Sequence, residues 1–547
     1  MIAGWTRKKE KPAERMLCGF SGRVAERVGF EPTVPCSTPD FESGTFDHSA
    51  TSPRKARSIA RIEKIMLRLA PIFAAALLLL ASCGDSTPPL LKDSRKLLVL
   101  TRPGPTTYTR DGTGTASGFE HDLVALFAEE LGLKVHYIVA GDDAEIARKL
   151  KHGKAHLAAA WLSTPSDPEL VASPAYFSSS NVIAQNDSAL PAEEAADLAG
   201  KTIAVLAGSP QAATLRDLQK QVDGLLIDEQ KAGAELELLE RVAENRDAMA
   251  LVDTAVFDIA TNFYPQLQGT LHIGNPYPIV WQFPAAADPE LLARANAFLS
   301  RIARDGTLAR LTDRYFGHIE RLTQSDVAHF IERMRAVLPK YRRAFQTAQA
   351  STGIDWRYLA ALAYQESHWE PLATSPTNVR GMMMLTEDTA DQMNVDNRLD
   401  PEQSIRAGSR YFADLREALP PSVSEPDRTW MATAAYNLGM GHLNGARHFA
   451  QKLKKNPDSW YEMKTVLPLL SRPEYYQRLK SGKARGGEAV IMAENVRMYY
   501  DILSRYEAPY QPGNGQLAQP AETTPANDPG PVIARLAAKR PGAVTRR

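Results

Sequence analysis

Cysteine is scarce in this chain of 547 residues: Cys18, Cys36 and Cys83 are present, and none follows. Everything after residue 83 is therefore without disulfides, thiol nucleophiles or zinc-thiolate ligands, and the three cysteines have no metal-ligand spacing. No metal and no cofactor is expected. An excess of charge is missing too. The 64 basic and 64 acidic residues cancel, which gives no support for a nucleic-acid partner. The apolar run at 69–80 falls short of the roughly 20 residues a bilayer span needs. What the chain has is length, more than one hydrophobic core can use, so two or three domains are expected.

That short apolar run has the length of a signal-peptide core. It follows the basic start Met66-Leu67-Arg68 and ends in Ala81-Ser82-Cys83-Gly84. Small residues directly before a cysteine resemble a bacterial lipoprotein cleavage box. The resemblance implies a signal peptide over 66–82 and a lipidated Cys83 as first residue. Gly84 follows the cysteine directly and Asp85 comes one later, a pattern that leans towards an anchor in the outer membrane, facing the periplasm. A signal peptide is read only at an N-terminus. The polar stretch 1–65, rich in Pro, Ser, Thr and Arg, then reads as a mis-called, disordered extension ahead of a start at Met66. A genuine disordered cytoplasmic tail is the other reading. Residues 83–95 form a polar linker with Pro88 and Pro89.

Between 96 and 318 apolar strands alternate with amphipathic helices. Strands are expected at 96–101, 133–139, 155–161, 202–206, 225–228, 248–252 and 279–283, with helices after Gly118, at 144–152, at 211–222 and at 289–302. That alternation predicts an α/β sheet. Three segments, Gly118-Phe119-Glu120-His121-Asp122-Leu123, Ser173-Pro174-Ala175-Tyr176-Phe177 and Ile203-Ala204-Val205-Leu206-Ala207-Gly208-Ser209, resemble the two-lobed periplasmic solute-binding proteins of the amino-acid-binding type. Those relatives usually carry an Arg soon after Thr-Pro, where it grips a ligand carboxylate. Here Thr164-Pro165-Ser166-Asp167 has none, and Asp167 is expected to repel a carboxylate. A muropeptide or stem peptide is therefore favoured over a free amino acid. Gly208-Ser209 opens a helix and could hold an anion, although a plain turn is the simpler reading.

From about 322 the texture becomes helical, with stretches expected at 327–350, 355–368, 387–393, 401–419, 430–438 and 487–506. Ala508 onward is rich in Pro, Ala, Gln and Gly, and 507–547 is expected to be disordered. In the helix 355–368, Leu359, Leu362, Ala363 and Glu366 recur at i, i+3, i+4 and i+7, so the carboxyl lies on the apolar face one turn from the end. Burial raises a carboxyl pKa, and the negative end of the helix dipole raises it further. A neutral acid near pH 7 can protonate a glycosidic oxygen. A buried, hydrogen-bonded structural Glu fits the periodicity equally well.

The surroundings of Glu366 favour chemistry. Glu366-Ser367-His368-Trp369, Ala373-Thr374-Ser375-Pro376, Arg380-Gly381-Met382-Met383-Met384-Leu385-Thr386, Ala434-Ala435-Tyr436-Asn437-Leu438-Gly439 and Ala484-Arg485-Gly486-Gly487-Glu488-Ala489 resemble, in order, the soluble lytic transglycosylase family. The resemblance implies a mostly α, lysozyme-like domain over 322–506 with a groove for peptidoglycan glycan strands. Glu366 would be the one catalytic acid and base, supported by a hydrogen bond from Ser367. Ser375, Tyr436 and Asn437 would line the groove, and Met382, Met383 and Met384 would wall it. Glu370, Asp388 and Asp391 read as solvated. Asn378 stands where relatives often have Gly, which implies a left-handed turn, and Met492 where they often have Tyr. The whole is a multidomain chain, a two-lobed α/β unit followed by a helical lytic one. Two alternatives stay open: a lysozyme-type hydrolase on the same fold, and a non-catalytic muropeptide sensor.

Overall fold

The structure is a computed structural model that describes residues 95–511 apart from 111–113, 232–233 and 320. The signal peptide expected at 66–82, Cys83 and the linker up to residue 94 lie outside the described residues.

Short apolar strands followed by amphipathic helices give the first half its layers. Strand β1 (Lys96–Thr101), the small ribbon β2 (Thr109–Arg110) and β3 (Ala116–Ser117), β4 (Lys134–Val139), β5 (Leu157–Leu162) and β6 (Leu170–Ala172) belong to a first lobe. There β1 pairs in parallel with both β4 and β5. Strand β7 (Phe177–Asn186) leads to a second lobe of β8 (Thr202–Leu206), β9 (Leu226–Gln230) and β10 (Met249–Asp253). Here β8 pairs in parallel with β9 and β10. Strand β11 (Leu267–Pro284) returns antiparallel along β7, from Leu267 opposite Asn186 to Ile279 opposite Phe177, and continues into the first lobe beside β5 and β6. The order β4-β1-β5-β11-β7-β10-β8-β9 thus joins the lobes through two long strands. Only residues 279–283 of β11 were expected as strand. Gly269, Gly274, Pro276 and Pro278 are residues that strands tolerate poorly, and the register shifts between Gly269 and Leu271 and between Ile273 and Tyr277 absorb them.

The Thr307–Phe316 helix closes the first lobe, and the Gln324–Ala336 helix, capped by Thr323 and Asp326, begins the second half. The helix expected over 327–350 is two, parted by a single 3-10 turn at Leu338–Lys340, because Pro339 interrupts the ladder. The Glu366 helix spans Trp356–Ser367 and is capped by Asp355, whose carboxylate accepts from Arg357 N. One continuous core of this half gathers Trp356, Leu359, Leu362, Trp369, Met382, Phe412, Trp460 and Val496. The helices Met440–Lys452 and Trp460–Val466 were not expected.

The long terminal helix, Gly486–Tyr506, packs on the Glu366 helix. The chain beyond it departs from the disorder expected at 507. Glu507 pairs with Arg342, Trp356 Nε1 donates to Ala508 O at 3.2 Å, and Gln349 donates to Tyr510 O at 2.9 Å. Residues 512–547 lie outside the described residues.

Candidate active site

Glu366 is the penultimate residue of its helix, and its side chain keeps partial contact with solvent while protein atoms crowd the carboxyl closely. Among the described residues no hydrogen bond or ion pair holds that carboxyl. Burial alone pushes its pKa up to about 8, so the group is mainly a neutral acid at pH 7. Tyr436 lies close enough for the Glu366 charge to act on it: burial first, then Glu366 and Tyr411, push its phenol well above the ordinary value. The Tyr436 hydroxyl donates to Met383 O at 2.7 Å, and its ring lies 5.5 Å from that of Tyr411. Asn437 beside it is exposed at the end of the Asp427–Leu438 helix.

The loop facing this helix is held as a tight hairpin. Arg380 and Leu385 exchange backbone hydrogen bonds at 3.1 and 2.9 Å, and Arg398 Nη1 donates to Asn378 O and Leu385 O. Asn378 takes the expected left-handed conformation, with φ 63°. Gly381 has φ +86°, and a Cβ there would meet Arg398 O at 1.8 Å, so only glycine fits.

Several expected roles look different in place. Ser367 does not turn to Glu366; its hydroxyl reaches Met382 O at 2.8 Å and Ala363 O at 3.1 Å. It fastens the Glu366 helix to the hairpin. Met382 and Met383 are fully buried in the core and offer no wall to a glycan, because the hairpin turns both inward; Met384, with φ 47°, is only half-buried. Ser375 accepts from Val379 N at 3.1 Å and bonds Thr377, as a turn residue does. Met492 is buried on the terminal helix. Glu370, Asp388 and Asp391 are exposed, as befits solvated residues.

The other half has a site of its own, the cleft between lobes, lined by Arg102, Thr106, Asp143, Ser209, Lys231 and Glu235. Its arginine, Arg102, comes from the end of β1, not from the stretch after Thr164-Pro165, and sequence spacing carries no sign of it. Arg102 Nη1 pairs with Asp143 at 2.9 Å. Glu235 is pushed up to about 8 by burial and by Asp253, against the pull of Arg102. The expectation that Asp167 repels a carboxylate ligand fails: Asp167 pairs with Lys151 at 2.8 Å and does not line the cleft. Ser209 proves to be the N-cap of the Pro210–Gln219 helix, accepting from Ala212 N at 3.1 Å. Glu120 and Tyr176, from two of the motifs that carried the solute-binding resemblance, are hydrogen-bonded to each other, and Glu120 also accepts from Trp161 N at 2.7 Å.

Comparison with known proteins agrees with this division. Residues 97–318 match the bacterial extracellular solute-binding proteins, family 3, and residues 343–459 match the transglycosylase SLT domain. The chain is 44% identical over 453 residues, 82% of its own length and 96% of the relative's, to the membrane-bound lytic murein transglycosylase F of Methylobacillus flagellatus. It is 43% identical to that of Nitrosospira multiformis, over 80% of this chain and 91% of the relative. The chain belongs to the membrane-bound lytic murein transglycosylase F family.

For a member of the transglycosylase F family, the contact between halves is the part least visible in sequence. Arg497, on the terminal helix, is buried, pairs with Glu494 at 2.9 Å, lies 3.8 Å over the Trp430 ring and donates to the carbonyls of Asp313 and Arg314 in the first lobe. Lys464 pairs with Asp313. The second lobe meets the same terminal helix, where Arg505 donates to the Tyr264 hydroxyl and Tyr506 to Phe263 O. Among the described residues no helix is long and apolar enough to cross a membrane.

Proposed function

We propose that Glu366 is the single acid and base of a peptidoglycan lytic transglycosylase that leaves 1,6-anhydro ends. The chain is a lyase acting on glycan strands, as its family and its transglycosylase domain establish. The finer statement rests on one observation: a carboxyl raised to about 8 by burial alone, with Tyr436 as its neighbour. Neutral Glu366 donates its proton to the oxygen between N-acetylmuramic acid and N-acetylglucosamine, and the C1–oxygen bond breaks. The 2-acetamido carbonyl of the muramic acid shields C1, in place of a second enzyme carboxylate. The Glu366 carboxylate then takes the proton of the sugar's 6-hydroxyl, whose oxygen closes on C1. No water is consumed and Glu366 ends protonated. Asn437, exposed beside Tyr436, is suited to orient the acetamido group. Glu366→Gln tests the assignment on purified sacculi, with mass spectrometry of the products. The wild type should release muropeptides one water lighter than hydrolysis products, and the variant should release none, a loss beyond the ~10²–10⁴-fold of ordinary acid–base catalysis. Reducing ends would make it a lysozyme-type hydrolase, and cleavage by the variant would move the role elsewhere.

Family names imply association with the cell envelope. We read its cause as a lipid on Cys83 and its place as the outer membrane. Intact mass of the native protein checks this, and a mature chain without acyl mass would refute it. The two-lobed domain is read as a regulatory sensor for a muropeptide or stem peptide. Such a ligand carries both amine and carboxylate, and the cleft offers Arg102 together with Asp143 and Glu235.

A further inference from the structure

The Glu366 carboxyl has no hydrogen-bond partner among the described residues, so its position depends on the backbone that carries it. That backbone ends abruptly two residues on. His368 is left-handed, with φ 52° and ψ 31°, and Trp369 follows with φ 60°. Two consecutive non-glycine residues in this region are strained, each by about 1–2 kcal/mol, and persist only where neighbours over-determine them. Trp369 is held from below: its indole is fully buried and donates to Ala360 O at 2.8 Å. His368 is held from outside its own domain's family segment. Arg333 Nε donates to His368 O at 2.9 Å while the rest of the guanidinium pairs with Glu370.

Arg333 sits on the Gln324–Ala336 helix, before the 343–459 match to the transglycosylase domain begins. The same helix is fastened at its other end to the second lobe, where Gln324 Nε2 donates to Leu267 O, the first residue of β11, at 2.7 Å. A cation at a helix C-terminus also satisfies carbonyls that the helix leaves unpaired and complements its dipole. We propose that Arg333 is a positioning residue for Glu366: it fixes the left-handed turn at His368, and with it the direction of the carboxyl, from the helix that links the two domains. The proposal rests on Glu366 as the catalytic acid.

The test uses the full-length protein with soluble, peptide-bearing glycan oligomers. Arg333→Ala should lower kcat by about tenfold to a hundredfold, the range expected when a reacting group is misplaced by a fraction of an ångström to an ångström. KM should stay within about twofold and the melting temperature should barely move, because Phe330 and Met334, not Arg333, fill the core beneath. Arg333→Lys, which keeps a cationic donor for one carbonyl, should recover part of kcat. Glu370→Ala removes the ion pair but leaves the carbonyl bond, and should cost less than Arg333→Ala. A normal kcat in Arg333→Ala, or a loss shared equally with KM and melting temperature and not rescued by Lys, would overturn the proposal. Glu366→Gln run beside them separates the two claims: if that variant still cleaves, the assignment of Glu366 has failed, and if it is dead while Arg333→Ala has a normal kcat, only the positioning role has.

Discussion

At the scale of residues, Glu366, the proposed acid, shows how burial holds a carboxyl neutral at the expense of stability. An acid whose folded pKa lies above its unfolded value binds its proton more tightly in the fold. Its contribution to stability is therefore greatest below the unfolded value, 4.5, and declines as pH rises towards about 8. A tenfold difference in proton affinity between the folded and unfolded chain corresponds to about 1.4 kcal/mol, reduced here because the side chain retains some water. Glu366→Gln abolishes that proton binding and keeps the shape. In thermal or urea unfolding the variant should be more stable than the wild type by about 1–3 kcal/mol above pH ~8, with the difference shrinking to near zero at pH ~4. A difference independent of pH would mean that the carboxyl is not held neutral by burial. Glu366 was legible in the sequence, because the i, i+3, i+4, i+7 spacing with Leu359, Leu362 and Ala363 fixes its face. Arg333 and Arg102 were not. Each acts through a partner 35 or 41 residues away, His368 or Asp143, and no periodicity encodes such a meeting.

Elements show a similar split between what is local and what is not. The strand at Lys96–Thr101 and the helix at Phe119–Leu131 follow from an apolar run in one case and a 3.6-residue stripe closed by Gly132 in the other. The full length of β11 stayed hidden because its prolines and glycines are tolerated only through register shifts against β7. The methionine hairpin was recognisable as a motif but was misread in orientation. A left-handed Gly381 against Arg398 O, and the Met383 N bond to Ser404 Oγ at 3.1 Å, turn two of the three side chains into the core. Ser367 belongs to the same construction. Its hydroxyl joins helix to hairpin through Met382 O, which ties the element that carries Glu366 to the loop opposite it.

For the whole molecule, the decisive feature is that both lobes of the solute-binding domain are fastened to one helix of the lytic domain. Arg497 caps the first lobe at the carbonyls of Asp313 and Arg314, while Arg505 and Tyr506 take the second lobe at Tyr264 and Phe263. The terminal helix that makes these contacts packs on the Glu366 helix. Two-lobed domains close on a ligand by hinge motion. Closing changes the spacing of the lobes, and a single helix cannot follow both, so one attachment must yield or pull. Arg497 is buried, and its two carbonyl bonds to the first lobe are reinforced by the Lys464–Asp313 ion pair. The Arg505 and Tyr506 contacts are only half-buried and should be the ones that respond. A ligand shifts this balance only as far as it binds the two arrangements differently. The double variant Arg505→Ala, Tyr506→Phe should therefore cleave sacculi at a rate that no longer changes with added muropeptides, while the wild-type rate does change. Both proteins are compared at equal concentration, by release of soluble fragments. A wild type indifferent to muropeptides would make the two-lobed domain a tether; a double variant that responds as the wild type does would place the coupling in the first lobe and its Arg497 contact.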